Sequence, residues 1–327
     1  MKAIIIDQPG DENVMRWDEA PAPALGPEDV RIAVVATAVN RADLLQRRGF
    51  YPPPPGASPI LGLECAGEVL EVGAKVPSGF ARGDRVMALL PGGGYAAEAV
   101  AHHGSVLRVP EALDLVHAGG VPEVYLTVFS NVFQYGRFPD GGSLLVHGGG
   151  SGVGTAAIQL VNEAGGRCYV TAGSDEKCRR CVELGAAAAI NYRTEKFAER
   201  IQELTGGKGV DVVLDSIGGP YLEGNLASLG MGGRLVVIGL TGGAKAELNL
   251  AGLMLRRLEI IGSTLRARPV DEKAAIVRGF EQRFGAALAA GRIRPVVDRV
   301  LPIAEAPEAH RRVESSAHVG KVILQVR

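Results

Sequence analysis

A doubly wound α/β domain inserted in a mainly β domain is the fold class the sequence predicts, and three observations carry it. Between residues 124 and 265, near-continuous apolar segments alternate with helix-length stretches until six strand candidates have accumulated. That rhythm belongs to a parallel sheet covered by helices on both faces, where a strand buried on both sides has no polar alternation. The first 123 residues instead run through short strand candidates separated by clusters of Gly, Pro and Asp, which reads as a twisted partial barrel. The residues after 265 are too few, about 60, to bury a core of their own, so they are expected to fold back on the first part. The expected domains are therefore 1–123 with 266–327, and 124–265 inserted between them.

In chain order, residues 30–39, 67–72, 84–90 and 95–100 have strand character. A helix is expected over 124–135, followed by strands at 143–147, 167–171, 187–191, 210–215, 233–238 and 259–263. The tail reads as a helix over 270–290, a strand over 296–301, a helix over 303–315 with Pro302 and Pro307 near its start, and a strand over 321–326.

Composition narrows the function. With 46% hydrophobic and 22% charged residues the chain is that of a globular protein, and 35 Lys and Arg against 36 Asp and Glu leave a net charge of −1. No basic surface argues for nucleic acid, and no uninterrupted apolar run approaches the ~20 residues of a membrane span, so a small-molecule partner is expected. Met1 to Asp7 meets an acid too early for a signal-peptide core, and a cytoplasmic location is expected. The four cysteines are too scattered for a disulfide framework; Cys178 and Cys181 sit in a helical pattern with no second pair, and none of the six histidines has ligand spacing.

The most informative stretch joins strand 143–147 to the helix that begins with Thr155. Gly148, Gly149, Gly150, Ser151, Gly152, Val153 and Gly154 form the turn, so glycines let the backbone approach an anion while unpaired amides and the helix dipole face it. The spacing is Gly149-x-x-Gly152-x-Gly154, out of register with G-x-G-x-x-G and lacking the Lys-Ser/Thr ending of a nucleoside-triphosphate loop. A pyrophosphate seat is the reading that the strand–turn–helix context supports.

The second strand indicates which dinucleotide. An NAD site carries an acid about 20 residues after the turn, to bond the adenosine ribose. Here that position falls on Ala172, Gly173 and Ser174, with Lys177 one helical step on and Arg179 and Arg180 behind it. A hydroxyl with a lysine attracts a 2′-phosphate that a carboxylate would repel, which favours NADPH. Ser174 also fits a helix cap, Asp175 keeps NADH open, and Tyr192 after the third strand can pack on the adenosine side.

The segments Asn40-Arg-Ala-Asp43, Pro53-Pro-Pro-Gly56-Ala57-Ser58, Leu61-Gly-Leu-Glu64, Leu89-Leu-Pro-Gly-Gly-Gly94, the run from Ser151 to Leu160 and Leu265-Arg266 resemble the zinc-free quinone oxidoreductases of the medium-chain dehydrogenase/reductase superfamily, in particular the p53-inducible quinone oxidoreductase branch. The resemblance runs from end to end. It implies a GroES-like first domain around a Rossmann domain, an active site between them, and commonly a homodimer. Zinc-dependent members carry a cysteine near the position of Asp43 and a histidine before the acid matched by Glu64; this chain has neither, so no metal is expected.

The same resemblance assigns roles. Tyr51, before the stiff Pro52–Pro55 run, matches a tyrosine at the substrate mouth whose phenol can donate to a quinone oxygen or stack on its ring. Asn40 is implied near the nicotinamide and Asp43 in the same wall, although both also suit a helix start. Thr127 matches a coenzyme contact, and Ser151 is a second candidate for an active-site hydroxyl. Gly239, Leu240, Ser263 and Leu265 follow the fifth and sixth strands, at the end of a parallel sheet where ligands bind. The expected activity is NADPH-dependent quinone reduction by hydride or single-electron transfer. Reduction of an activated C=C bond in an enal or enone, or a low-turnover NADPH-binding sensor, are the alternatives.

Overall fold

The computed structural model describes residues 1–327, and they divide into two units: Met1–Leu126 with Leu265–Arg327, and Thr127–Thr264. The sequence reading set these borders three residues earlier at the first and one later at the second.

The first unit begins with the antiparallel pair β1 (Lys2–Ile5) and β2 (Arg16–Glu19). β3 (Asp29–Ala38) follows, then α1 (Arg41–Arg47), β4 (Glu64–Val72), β5 (Arg85–Leu89), β6 (Glu98–His102), β7 (Val106–Arg108), α2 (Leu115–Ala118) and α3 (Pro122–Val128). β3 is the spine: Val30, Ile32 and Val34 alternate into the core, while its backbone pairs antiparallel with both β4 and β6. The strand expected from Tyr95 starts instead at Glu98. Tyr95 is held in a turn, its amide donating to the Leu61 carbonyl at 2.9 Å and its carbonyl accepting from Ile4 at 2.8 Å.

The second unit opens with a π-helical turn, Phe129–Tyr135, where one continuous α-helix was expected. The cause is local: the Asn131 side chain donates to the Thr127 carbonyl at 2.8 Å, and the Gly136 amide reaches back five residues to the Asn131 carbonyl. Then come β8 (Ser143–His147), α4 (Gly152–Glu163), β9 (Arg167–Ala172), α5 (Asp175–Glu183), β10 (Ala188–Asn191), α6 (Phe197–Leu204), β11 (Val210–Asp215), α7 (Leu222–Ser228), β12 (Leu229–Val237), α8 (Leu250–Arg256) and β13 (Glu259–Gly262). All six strands are parallel, in the order β10-β9-β8-β11-β12-β13. β8 and β11 are neighbours from which the connections leave in opposite directions, the switch point at which a doubly wound sheet binds its ligand.

The tail returns to the first unit. α9 (Val270–Ala289) is followed by β14 (Val297–Pro302), α10 (Ala306–Glu314) and β15 (Lys321–Gln325). β15 pairs antiparallel with β3 and parallel with β14, which extends the mainly antiparallel sheet to the order β14-β15-β3-β4-β5-β7. Ile4, Leu44 and Tyr95 share one core with Ile303, Val313 and Leu324, so the first and last segments bury each other. No helix is long and apolar enough to cross a membrane.

Candidate active site

The turn between β8 and α4 is shaped by its glycines. A side chain on Gly149 would meet Val170 at 2.6 Å, and one on Gly154 would meet the Gly148 carbonyl at 2.4 Å. Ser151 caps α4, its Oγ accepting from the Gly154 amide at 3.0 Å. The Gly152 and Val153 amides stand in the first turn of α4, where the helix offers them no acceptor, so the donors fit a pyrophosphate.

At the end of β9, Ser174 caps α5 by accepting from the Lys177 amide at 3.3 Å, and its hydroxyl hydrogen remains available to donate. Tyr192 lies over Gly173, where an added side chain would come within 2.6 Å of its phenol oxygen. Asp175, the acid that kept NADH open, is engaged: its Oδ1 accepts from Asn191 Nδ2 at 2.7 Å. Gly239 packs against Ser216 while Leu240 is exposed, both just beyond β12. Ser263 follows β13, with its amide on the Val237 carbonyl at 3.0 Å. Thr127 is half-buried at the end of α3. Leu265 is 7% exposed and is the first residue of the tail segment that belongs to the first unit.

In the first unit the residues around Asn40 form a buried polar cluster. Glu64 is fully buried and Lys321 is 3% exposed, their charged atoms 2.8 Å apart. Asn40 bridges them, donating to Glu64 at 2.9 Å and accepting from Lys321 at 2.6 Å. The second Glu64 oxygen accepts the Glu123 amide at 2.9 Å. With both Glu64 oxygens committed, and no group of three His, Cys, Asp or Glu side chains arranged to hold an ion, this donor set does not fit zinc.

Asp43, expected in the catalytic set, is fully buried, and both its oxygens are occupied. One accepts from the Asn40 amide at 2.8 Å and the other from the Gly62 amide at 3.0 Å. Burial pushes its carboxyl up to about 6 against those two donors. Tyr95 donates to it at 3.4 Å, His310 Nε2 lies 3.2 Å from Tyr95, and Arg47 lies 3.1 Å from His310 Nδ1. Arginine can only donate, so Nδ1 accepts and Nε2 carries the proton. Burial, with Arg47 beside it, drives His310 down to about 3 and keeps the ring neutral. Asp43 therefore pins α1 to the Leu61–Gly62 turn, with no solvent-exposed surface of its own.

Tyr51 is held by Arg266, which follows the sixth strand. The guanidinium lies 5.3 Å from the Tyr51 ring centre and donates to the Pro91 carbonyl at 2.7 Å, the Tyr51 carbonyl at 3.2 Å and Gln46 Oε1 at 2.6 Å. Burial raises the Tyr51 phenol above its ordinary value, so it stays a donor at neutral pH. Glu123 and Lys321 are the residues missed from the sequence. An acid after a proline at a helix start reads as an ordinary first-turn acid, and a lysine opening the last strand carries no signal of its own.

The alcohol dehydrogenase GroES-like domain family matches residues 26–111, and the zinc-binding dehydrogenase family matches residues 152–279. A quinone oxidoreductase of Lama guanicoe is 32% identical over 334 residues, covering 100% of this chain and 98% of the relative. A 2-haloacrylate reductase of a Burkholderia species is 31% identical over 334 residues, covering 99% and 98%. A phenolphthiocerol/phthiocerol polyketide synthase of Mycobacterium tuberculosis is 32% identical over 329 residues; the match covers 98% of this chain and 14% of that much longer relative. Among solved structures, Escherichia coli quinone oxidoreductase complexed with NADPH superposes with a TM-score of 0.86 at 28% identity, and an NAD-dependent alcohol dehydrogenase with 0.87 at 33%, each covering 100% of both chains.

Proposed function

We propose, from the premise that this chain belongs to the medium-chain dehydrogenase/reductase superfamily, that it is an NADPH-dependent reductase of quinones. It is an oxidoreductase with an NAD(P)-type cofactor and a small-molecule substrate. The observation that carries the NADPH reading is the end of β9, where a serine hydroxyl and Lys177 stand at the ribose position while Asp175 is tied to Asn191. The quinone reading is supported by the full-length quinone oxidoreductase relatives and by the protonated phenol of Tyr51.

When bound, the nicotinamide supplies the hydride. The glycine turn and the first amides of α4 hold the diphosphate, and Gly173, Ser174, Lys177 and Tyr192 receive the adenosine end. Tyr51 donates a hydrogen bond to the acceptor's carbonyl oxygen, its loop held by Arg266 so that the donor needs no reorganisation. Ser151 is the second hydroxyl of this reading, and Asn40, fixed by Glu64 and Lys321, shapes the wall. No step runs through a metal.

A second reading, reduction of an activated C=C bond, is favoured by the 2-haloacrylate reductase relative, and the same hydride and donor serve it. Assay of quinones beside enones separates the two. In this proposal the protein is a cytoplasmic homodimer. Its four free cysteines suit a reducing location, and the edge strand β13 and the exposed Leu250, Met254 and Leu255 of α8 are the apolar surface that supports a dimer in this reading.

The test is an NADPH and NADH fluorescence titration of wild type and Lys177→Ala. Loss of one charge-assisted bond, about 1.5–3 kcal/mol, should weaken NADPH by roughly 10- to 150-fold and leave NADH unchanged. An unaltered preference would remove the phosphate assignment.

A further inference from the structure

We propose that Glu123 is the proton donor of the reduction, delivering to the acceptor the proton that must accompany the hydride. The proposal rests on the functional reading above and adds to it the second half of the chemistry. Hydride addition places two electrons on the quinone and leaves an oxyanion; an O–H bond must then form, with the proton leaving an acid of the protein. The net change is quinone, NADPH and one proton to hydroquinone and NADP⁺, so the acid must be refilled from water once per turnover.

Asp43, His310, Lys321, Arg266 and Tyr51 are unsuited to this. Asp43 is sealed with both oxygens occupied, and His310 is locked between Arg47 and Tyr95. Lys321 is committed to Glu64 and Asn40, and all three Arg266 nitrogens donate to Pro91, Tyr51 and Gln46. Tyr51 can donate a hydrogen bond, but a phenol whose ionisation is opposed by burial is a poor source of a whole proton.

Glu123 differs from all of them. Its backbone is anchored to Glu64, which sets a second carboxylate beside it, while its own half-buried carboxyl makes no hydrogen bond or ion pair within the chain. The groups facing it are Glu64 of β4, Asp43 of α1, Lys321 of β15, Lys273 of α9, and Arg266 and Tyr51. Lys321 and Arg266 offset a charge here only in part because they are spent on other acceptors, and Lys273 makes no ion pair with this carboxyl. An unpaired carboxyl in such surroundings stays neutral. Burial first, then the charge of Glu64, pushes it up to about 8. It is therefore an O–H donor at neutral pH, on a residue that keeps some exposed surface and on the helix that carries Thr127 one turn later.

The test pairs two readouts. In coenzyme-free protein, infrared titration should show a protonated carboxyl band that disappears as pH rises through about 8 and is missing from Glu123→Gln. In steady state, wild-type kcat should fall above that pH, whereas Glu123→Gln should lose about 100-fold at pH 7 and show no alkaline limb, with NADPH binding intact. Glu123→Asp, which restores a carboxyl, should recover part of the loss and regain the limb. Turnover by Glu123→Gln within twofold of wild type, or a carboxyl ionised throughout pH 5–9, would overturn this proposal alone. Wild type that reduces no quinone or enone would overturn the functional reading instead.

Discussion

Replacing Lys321 by methionine tests whether the buried ion pair organises the first unit. Glu64 and Lys321 sit 2.8 Å apart with at most 3% of either side chain exposed, so removing the ammonium strands a carboxylate that water cannot reach. Breaking such a pair costs about 3–5 kcal/mol. Glu64 keeps two N–H donors, from Asn40 and Glu123, which sets the expectation near the lower end, about 3 kcal/mol. At roughly 2–4 °C per kcal/mol for a unit of this size, Tm should drop by about 6–12 °C. Adding Glu64→Gln removes the stranded charge, and the double variant should recover about 2 kcal/mol of the loss. Scanning calorimetry and urea unfolding of the single and double variants measure both quantities. A Lys321→Met protein melting within 2 °C of wild type, or a double variant no more stable than that single one, would refute the argument.

Two other predictions concern the second unit. Gly154→Ala places a methyl 2.4 Å from the Gly148 carbonyl and 2.6 Å from Gly149 Cα, both backbone atoms, so the turn must shift; NADPH affinity should fall at least about 10-fold by fluorescence titration, and an unchanged Kd would mean the diphosphate sits elsewhere. Met254→Asp with Leu255→Asp places two charges on the exposed face of α8, and sedimentation should show a dimer converted to monomers with the fold unchanged by circular dichroism; a dimer that survives would locate the interface away from that edge.

The sheet of the second unit could be read from sequence because each of its strands is a buried apolar run, and the glycine turn because only glycine tolerates those approaches. Asp43 could not be read the same way. Its partner Tyr95 lies 52 positions along the chain from it, and Tyr95's own partner His310 lies 267, so nothing in a capping pattern announces a sealed carboxylate. Lys321 and Glu64 are equally remote in sequence, so a lysine at a strand start and an acid after Leu63 look unrelated until the sheet brings β15 beside β3. The π-helical turn was hidden because Asn131 at that position is consistent with either helix; only its bond to the Thr127 carbonyl decides it. Arg266, which follows the sixth strand, gave no sign in the sequence that it would clamp Tyr51, because its partners Gln46, Tyr51 and Pro91 lie 175 or more positions away.

The pairing of β15 with β3 also sets an order of events during synthesis. The inserted six-stranded sheet is complete once residue 264 has cleared the ribosome, and it can fold then. The spine strand emerges more than 280 residues before its partner β15 and must wait, its flank open to wrong partners, until that strand appears. Shortening the chain by that one strand would thus leave the nucleotide-holding half intact while denying the other half its closing ladder.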